Sequence, residues 1–267
     1  MRNNICSVLG MTYEQKITSE LDFWKFKVLQ KPSLFNKVTN SVQKKINNYI
    51  PDKVHNAITT AIKQMVKAVL FGSTFTTSKP IADLTLMHRE ALIKQKIENY
   101  KKTGAAEGGI TGAGGFLMSL ADFPLLLGLK MKMLFDIAAA YGYDVKDYRE
   151  RLFILHIFQL AFSSKEESKN IFLKMEGWDN KAHKLPTNID EFDWLTFQQQ
   201  YRDYIDLAKL AQMLPFVGAA VGAVANYKLI ERLGKTAMMS YRMRHFSLQY
   251  AVISSQETTN QKLRIDN

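Results

Sequence analysis

Asp122 and Asn226 are the polar residues of this sequence best placed to do chemistry. Each interrupts a nearly charge-free run, as Ala121-Asp122-Phe123-Pro124 and as Ala225-Asn226-Tyr227. A carboxylate enclosed in such a run has a raised pKa and becomes a candidate acid or base. Asp and Asn side chains also bond to nearby backbone amides, so each is suited to capping the helical piece that follows it. Capping is the simpler reading, because no partner for proton transfer lies nearby in sequence. A second cluster, Tyr241-Arg242-Met243-Arg244, offers two guanidiniums that would hold phosphate groups or line a solvated basic helix face.

The usual catalytic patterns are missing. His55, His88, His156, His183 and His245 show no metal-ligand spacing, and there is no H-E-x-x-H, C-x-x-C or G-x-S-x-G. His156 lies between Leu155 and Ile157 and reads as a core histidine. The glycines of 104–115 precede no Gly-Lys-Ser/Thr and follow a helical segment, so they form neither a phosphate loop nor a dinucleotide fingerprint. No catalytic residue, metal or cofactor is assigned. An enzyme built on Asp122 ranks third among the functional readings.

The runs holding Asp122 and Asn226 are the chain's most distinctive feature. One contains Gly112, Gly114 and Gly115 and continues to Leu129; the other contains Pro215, Gly218 and Gly222 and ends at Tyr227. Gly114 and Gly218 each stand seven residues before the small-Asx-aromatic triplet, a weak internal duplication. Small residues at helical spacing let helices or lipid approach the backbone. Leu210 to Tyr227 is uncharged and as a helix would cover roughly 27 Å, borderline for a bilayer core of about 30 Å. Asp122 and Pro124 weigh against a span in the first run. A packed helical core, or a shallow hairpin that meets lipid, fits better than two full spans.

The elements around these runs read as helices. Thr12 and Gln15 have capping-box spacing, followed by Ile17, Leu21, Trp24 and Val28 on one face. A second helix carries Val38, Val42 and Ile46, and a third carries Val54, Ile58, Ile62, Met65 and Val69. Pro80 and Gly104 predict a helix over 80–103. The first glycine run predicts two pieces, 108–121 and 124–141, broken or kinked at Pro124. Tyr141-Gly142-Tyr143-Asp144 reads as a turn, and 147–162 as the next helix. Helix is also expected from 192 to 214, and again after Pro215 toward Ser247. The fold class is therefore all-α: one domain of eight to ten helices over 12–253, with the glycine segments packed together centrally. Residues 1–11 form an N-terminal extension, 163–191 a polar surface excursion and 254–267 a flexible tail.

Composition narrows the setting. With 267 residues and 46% hydrophobic content, the chain is long enough and apolar enough to bury a core. The single cysteine, Cys6, excludes an internal disulfide and suits a reducing compartment. No secretory signal pattern is read in the first thirty residues. The net charge of +11 is concentrated early: residues 1–103 carry 17 Lys and Arg against 7 Asp and Glu. Such asymmetry suits an anionic partner. The absence of a nucleic-acid reader motif and of interleaved aromatics favours a membrane surface over nucleic acid.

Together these motifs resemble the EcsC family, bacterial proteins named after a gene found beside an ABC transporter. The resemblance rests on Thr111-Gly-x-Gly-Gly115, Ala121-Asp-x-Pro124, Tyr141-Gly-Tyr-Asp144 and Tyr201-Arg-Asp-Tyr-Ile-Asp206. Pro215-x-x-Gly-Ala-x-x-Gly-Ala223, Asn226-Tyr227 and Tyr241-Arg-x-Arg244 complete it, over roughly 12–250. The resemblance implies an all-helical, intracellular protein, in some members associated with membranes or transporter-linked processes. It carries over no catalytic residue and no cofactor.

The functional expectation is a non-enzymatic peripheral membrane or lipid-binding protein at the cytoplasmic leaflet. Lys37, Lys44, Lys45, Lys53, Lys63 and Lys67 would face anionic headgroups. Gly112, Gly114, Gly115, Asp122, Pro124, Gly218, Gly222, Asn226, Tyr227, Arg242 and Arg244 would contact lipid or a partner. The expected partner is anionic phospholipid. The alternative is an interaction module that regulates a membrane transporter.

Overall fold

A computed structural model describes residues 12–30, 52–71, 79–113, 115–185, 191, 193–204 and 218–265. These residues form nine helices and no strand. They are α1 (Tyr13–Leu29), α2 (Asp52–Phe71), α3 (Leu86–Ala113), α4 (Gly115–Ala140) and α5 (Tyr148–Phe162). Then come α6 (Lys165–Met175), α7 (Trp178–Ala182), α8 (Trp194–Tyr204) and α9 (Gly218–Ile265). The expected helix bearing Lys37, Lys44 and Lys45 lies outside the described residues.

The framework is the antiparallel pair α3 and α9. Glu90 meets Arg242, Ile97 lies over Gly234, and Gly108 reaches Gly222 and Asn226. The helix α4 returns along α3 and therefore runs parallel to α9. Lys130 stands level with Asn226, and Tyr141 level with Met238. On the other side of α9, α5 buries nearly every residue from Leu152 to Phe162. The stripe Val54, Ile58, Ile62, Met65 and Val69 of α2 is buried as its spacing predicts.

Local chemistry sets the helix starts. Thr12 Oγ1 accepts the Gln15 N–H at 3.3 Å while Gln15 Oε1 accepts the Thr12 N–H at 2.9 Å, the expected capping box. Asp147 caps α5 and Ser164 caps α6 in the same manner. The turn after α4 needs Gly142, whose φ of +94° is costly for residues with a Cβ.

Four expectations are corrected. The helix expected from Pro80 begins at Leu86 and passes through Gly104. Gly104 is no stop because it is the close approach to Ile230 on α9. The helix α4 is continuous through Pro124, running from Gly115 to Ala140. Pro124 removes one backbone donor, but the neighbouring hydrogen bonds and the buried face of α4 hold the helix. The stretch 163–191 is more than a surface excursion: α6 and α7 bury Ile171, Phe172, Met175 and Trp178. The backbone of α9 continues to Ile265 through the segment expected to be a loose tail.

Candidate functional site

The glycine runs meet at Gly108 and Gly222. A Cβ on Gly108 would lie 2.7 Å from the Gly222 carbonyl oxygen and 2.5 Å from Asn226 Nδ2. At this level the small residues admit a second helix, not an acyl chain. Gly112 lies in the last turn of α3, while Gly115 and Gly218 open α4 and α9. Gly114 lies outside the described residues.

Behind the glycine contact sits a buried polar group that no sequence motif marks. Lys130 is fully buried, its Nζ donating to Asn226 Oδ1 at 3.1 Å and to the Leu126 carbonyl at 3.4 Å. Burial drives its pKa down from 10.5 to about 7, with the Glu107 charge pulling the other way. Burial raises the Glu107 carboxyl, opposed by the Lys130 charge and reinforced by Asp122. Glu107 Oε2 and Asn226 Nδ2 are buried without a hydrogen-bond partner. The available signal was one lysine on the face of Phe123, Leu127 and Leu134, where a buried stripe is otherwise apolar.

Asp122 and Asn226 cap nothing, because both lie inside continuous helices. They are not equivalent either: Asp122 is half-buried and Asn226 is fully buried two turns higher. Tyr227 donates to Glu98 at 3.3 Å, and Lys101 sits 4.2 Å above its ring. Arg242 lies toward the opposite end of the bundle. Asp122, Asn226, Tyr227 and Arg242 therefore do not converge on one site.

Arg242 and Arg244 are corrected from surface contacts to internal ones. Arg242 is 1% exposed and grips Glu90 at both ends, Nε to Oε1 at 2.6 Å and Nη2 to Oε2 at 2.5 Å. Its Nη1 reaches Glu20 at 2.8 Å, while Tyr13 and Tyr141 donate to Glu90 at 2.6 and 3.1 Å. Burial opposes ionisation of Glu90, yet hydrogen bonds from Arg242 and Tyr13 outweigh it and hold its pKa low. Arg244 donates to Glu150 at 2.6 Å and to Asp179, with Tyr143 lying 3.8 Å under its guanidinium. Tyr241 completes this second cluster by donating to Glu150 at 2.5 Å. Four carboxylates meet two arginines, so neither arginine is left to hold phosphate. His156 is a core histidine as expected, bonded to Gln159 at 3.1 Å, with burial lowering its pKa to about 4.

Among the described residues, two exposed surfaces bear on the expected lipid contact. Lys53, Lys63 and Lys67 face outward on α2, with Lys67 lying 4.9 Å from the Trp194 ring centre. At the glycine end, Ala121, Pro124 and Leu125 form one exposed apolar stripe on α4, and Ala220, Val221 and Val224 another on α9. The parallel register puts Leu125 level with Val221. Leu125 is 62% exposed, Val221 56% and Val224 55%. Among the described residues, no helix is long and apolar enough to cross a membrane.

Residues 15–246 match the EcsC protein family model. The chain is 46% identical over 235 residues to protein EcsC of Bacillus subtilis (strain 168), covering 88% of this chain and 97% of that protein. It is 29% identical over 241 residues to the uncharacterised protein YdbA of the same organism, covering 86% and 88%. No solved structure matches. By the family model and by its identity to protein EcsC over most of both chains, this protein belongs to the EcsC family.

Proposed function

We propose that this protein is a non-enzymatic peripheral membrane protein that contacts lipid at the cytoplasmic leaflet through its glycine-run end. The observation that carries the reading is the pair of exposed apolar stripes, Ala121-Pro124-Leu125 and Ala220-Val221-Val224, at one level of the bundle. Contiguous exposed apolar surface marks an interaction site more often than scattered residues do. Burying Leu125, Val221 and Val224 in the acyl boundary would each contribute on the order of 1.5 kcal/mol. The outward lysines of α2 add attraction to an anionic surface, at about 1 kcal/mol for each lysine that reaches it.

The glycines take a supporting role in this reading. Gly108 and Gly222 bring α3 and α9 into backbone contact, and the apolar stripes flank the helix ends so joined. The test is co-sedimentation with neutral and anionic vesicles across a salt series. Equal, salt-independent recovery on both compositions would remove the electrostatic part, and no recovery on either would remove the whole. A stable complex with a transporter but no vesicle binding would select the partner-docking alternative.

A further inference from the structure

A cavity of about 320 Å³ lies in the groove between α3 and α9, beside α1 and away from the apolar stripes. Its floor is apolar, made by the buried Ile97 of α3 and the buried Met238 and Met239 of α9. Charges of both signs stand around that floor.

Two cations face the middle of the groove. Lys94 of α3 and Lys235 of α9 are both exposed, and neither enters an ion pair among the described residues. The register that sets Glu90 against Arg242 and Ile97 against Gly234 puts Lys94 level with Met238. The two lysines are therefore about one turn apart on facing helices. Toward each end stands a carboxylate with one oxygen to spare. Glu20 accepts from Arg242 through Oε2, and Glu231 accepts from Lys101 through Oε1. Their other oxygens, Glu20 Oε1 and Glu231 Oε2, take no hydrogen bond from the described residues. On α9, Glu231 comes one turn before Lys235, and Arg242 one turn after Met238. The remaining cations of the lining are occupied, Lys101 with Glu98 and Glu231, and Arg242 with Glu90 and Glu20.

We infer that this cavity binds a free α-amino acid with an apolar side chain. Lys94 and Lys235 take its carboxylate, and the open oxygen of Glu20 or Glu231 takes its ammonium. Its side chain rests on Ile97, Met238 and Met239. A simple anion leaves both acids unused, and a simple cation is opposed by both lysines. A molecule carrying the two charges answers all of these groups at once. Water's share of liquid volume is roughly 30 Å³, so the space admits on the order of ten non-hydrogen atoms. That is the size of leucine or methionine. The two methionines of the floor adapt to different shapes, so the site selects apolar character rather than one side chain.

The inference is independent of the membrane reading, because its residues lie outside the apolar stripes. The full chain is titrated calorimetrically with L-leucine and L-methionine. Three probes each lack one feature: leucinol has no carboxylate, isocaproate no ammonium, and glycine no apolar side chain. Each should bind at least tenfold more weakly than the better of the two amino acids. Lys94→Gln/Lys235→Gln should weaken that amino acid tenfold or more, and Lys94→Arg/Lys235→Arg should restore it. Glu20→Gln/Glu231→Gln should weaken leucine or methionine but leave isocaproate unchanged, a split that a general loss of structure would not produce. Lys63→Gln/Lys67→Gln removes the same charge from α2 and should change binding less than twofold. The inference is overturned if neither amino acid binds, or if isocaproate or leucinol binds as tightly as leucine. It is equally overturned if both lysine-to-glutamine pairs lower binding alike.

Discussion

The guanidinium of Arg242 and the carboxylate of Glu90 form a two-point pair, 2.6 and 2.5 Å long, that ties α9 to α3 with almost no exposure to water. The same carboxylate accepts from Tyr13 and Tyr141, so one buried anion joins α1, α3, the turn after α4, and α9. Taking two charges out of water is costly, and the arrangement is favourable only because every carboxylate lone pair finds a donor.

Removing one partner should therefore be far worse than removing both. Glu90→Gln leaves the Arg242 charge buried and undercompensated, and should cost about 3–5 kcal/mol in urea unfolding. Glu90→Met with Arg242→Met should cost clearly less than that single change. A double variant as unstable as the single would mean that the pair is net stabilising. The pH dependence has a definite sign. Because the folded pKa of Glu90 lies below its ordinary value, its contribution is present above that ordinary value and lost as pH falls through the folded one. The acid limb of wild-type stability should flatten in Glu90→Gln.

Lys130 shows the opposite limb. Its folded pKa of about 7 lies below the ordinary 10.5, so between these values the unfolded chain binds the extra proton. Stability should rise with pH across that window, since unfolding takes up a proton there, and level off at its lowest contribution once pH is below about 7. Lys130→Met removes the buried ammonium and should raise the melting temperature more at pH 6 than at pH 10. An equal shift at both would show that Lys130 keeps its ordinary pKa inside the fold.

Much of the fold was legible before any coordinates. Thr12 and Gln15 marked the start of α1, and the stripe from Val54 to Val69 marked the buried face of α2, because both depend on near neighbours in sequence. The errors fall where distant residues decide. Pro124 signalled a break, yet tertiary packing carries α4 through it. Tyr241-Arg242-Met243-Arg244 looked like an anion-binding surface because Glu90 and Glu150, far away in the chain, are what neutralise it. Lys130 carries no motif, and only the packing of α3 and α9 against α4 places it beside Asn226 and Glu107.

Two glycine-to-alanine changes in neighbouring helices should move stability in opposite directions. At Gly108 a methyl would press on the Gly222 backbone 2.7 Å away, which cannot rotate aside. Gly108→Ala should cost about 1–3 kcal/mol, the usual range for overpacking. At Gly128, inside α4, a methyl would meet nothing within 4 Å. Gly128→Ala should gain up to about 1 kcal/mol through helix propensity alone. Paired thermal denaturation of the two variants checks both signs, and a stable Gly108→Ala would refute close α3–α9 contact.

The membrane reading yields the last prediction. Leu125 and Val221 are exposed at one level of two parallel helices, so a charge at either costs the fold little and the lipid contact much. A carboxylate there must be dehydrated on entering the acyl boundary and also faces anionic headgroups. Leu125→Glu/Val221→Glu should keep its helicity and melting temperature within a few degrees while losing at least tenfold in vesicle binding. Lys63→Gln/Lys67→Gln should instead lose binding only at low salt, since screening at about 0.1 M already reduces exposed charge attraction beyond about 10 Å. The two effects separate apolar insertion from surface attraction. If the glutamate pair binds vesicles like the wild type while remaining folded, the apolar stripes serve something other than lipid, and a protein partner becomes the surface to seek.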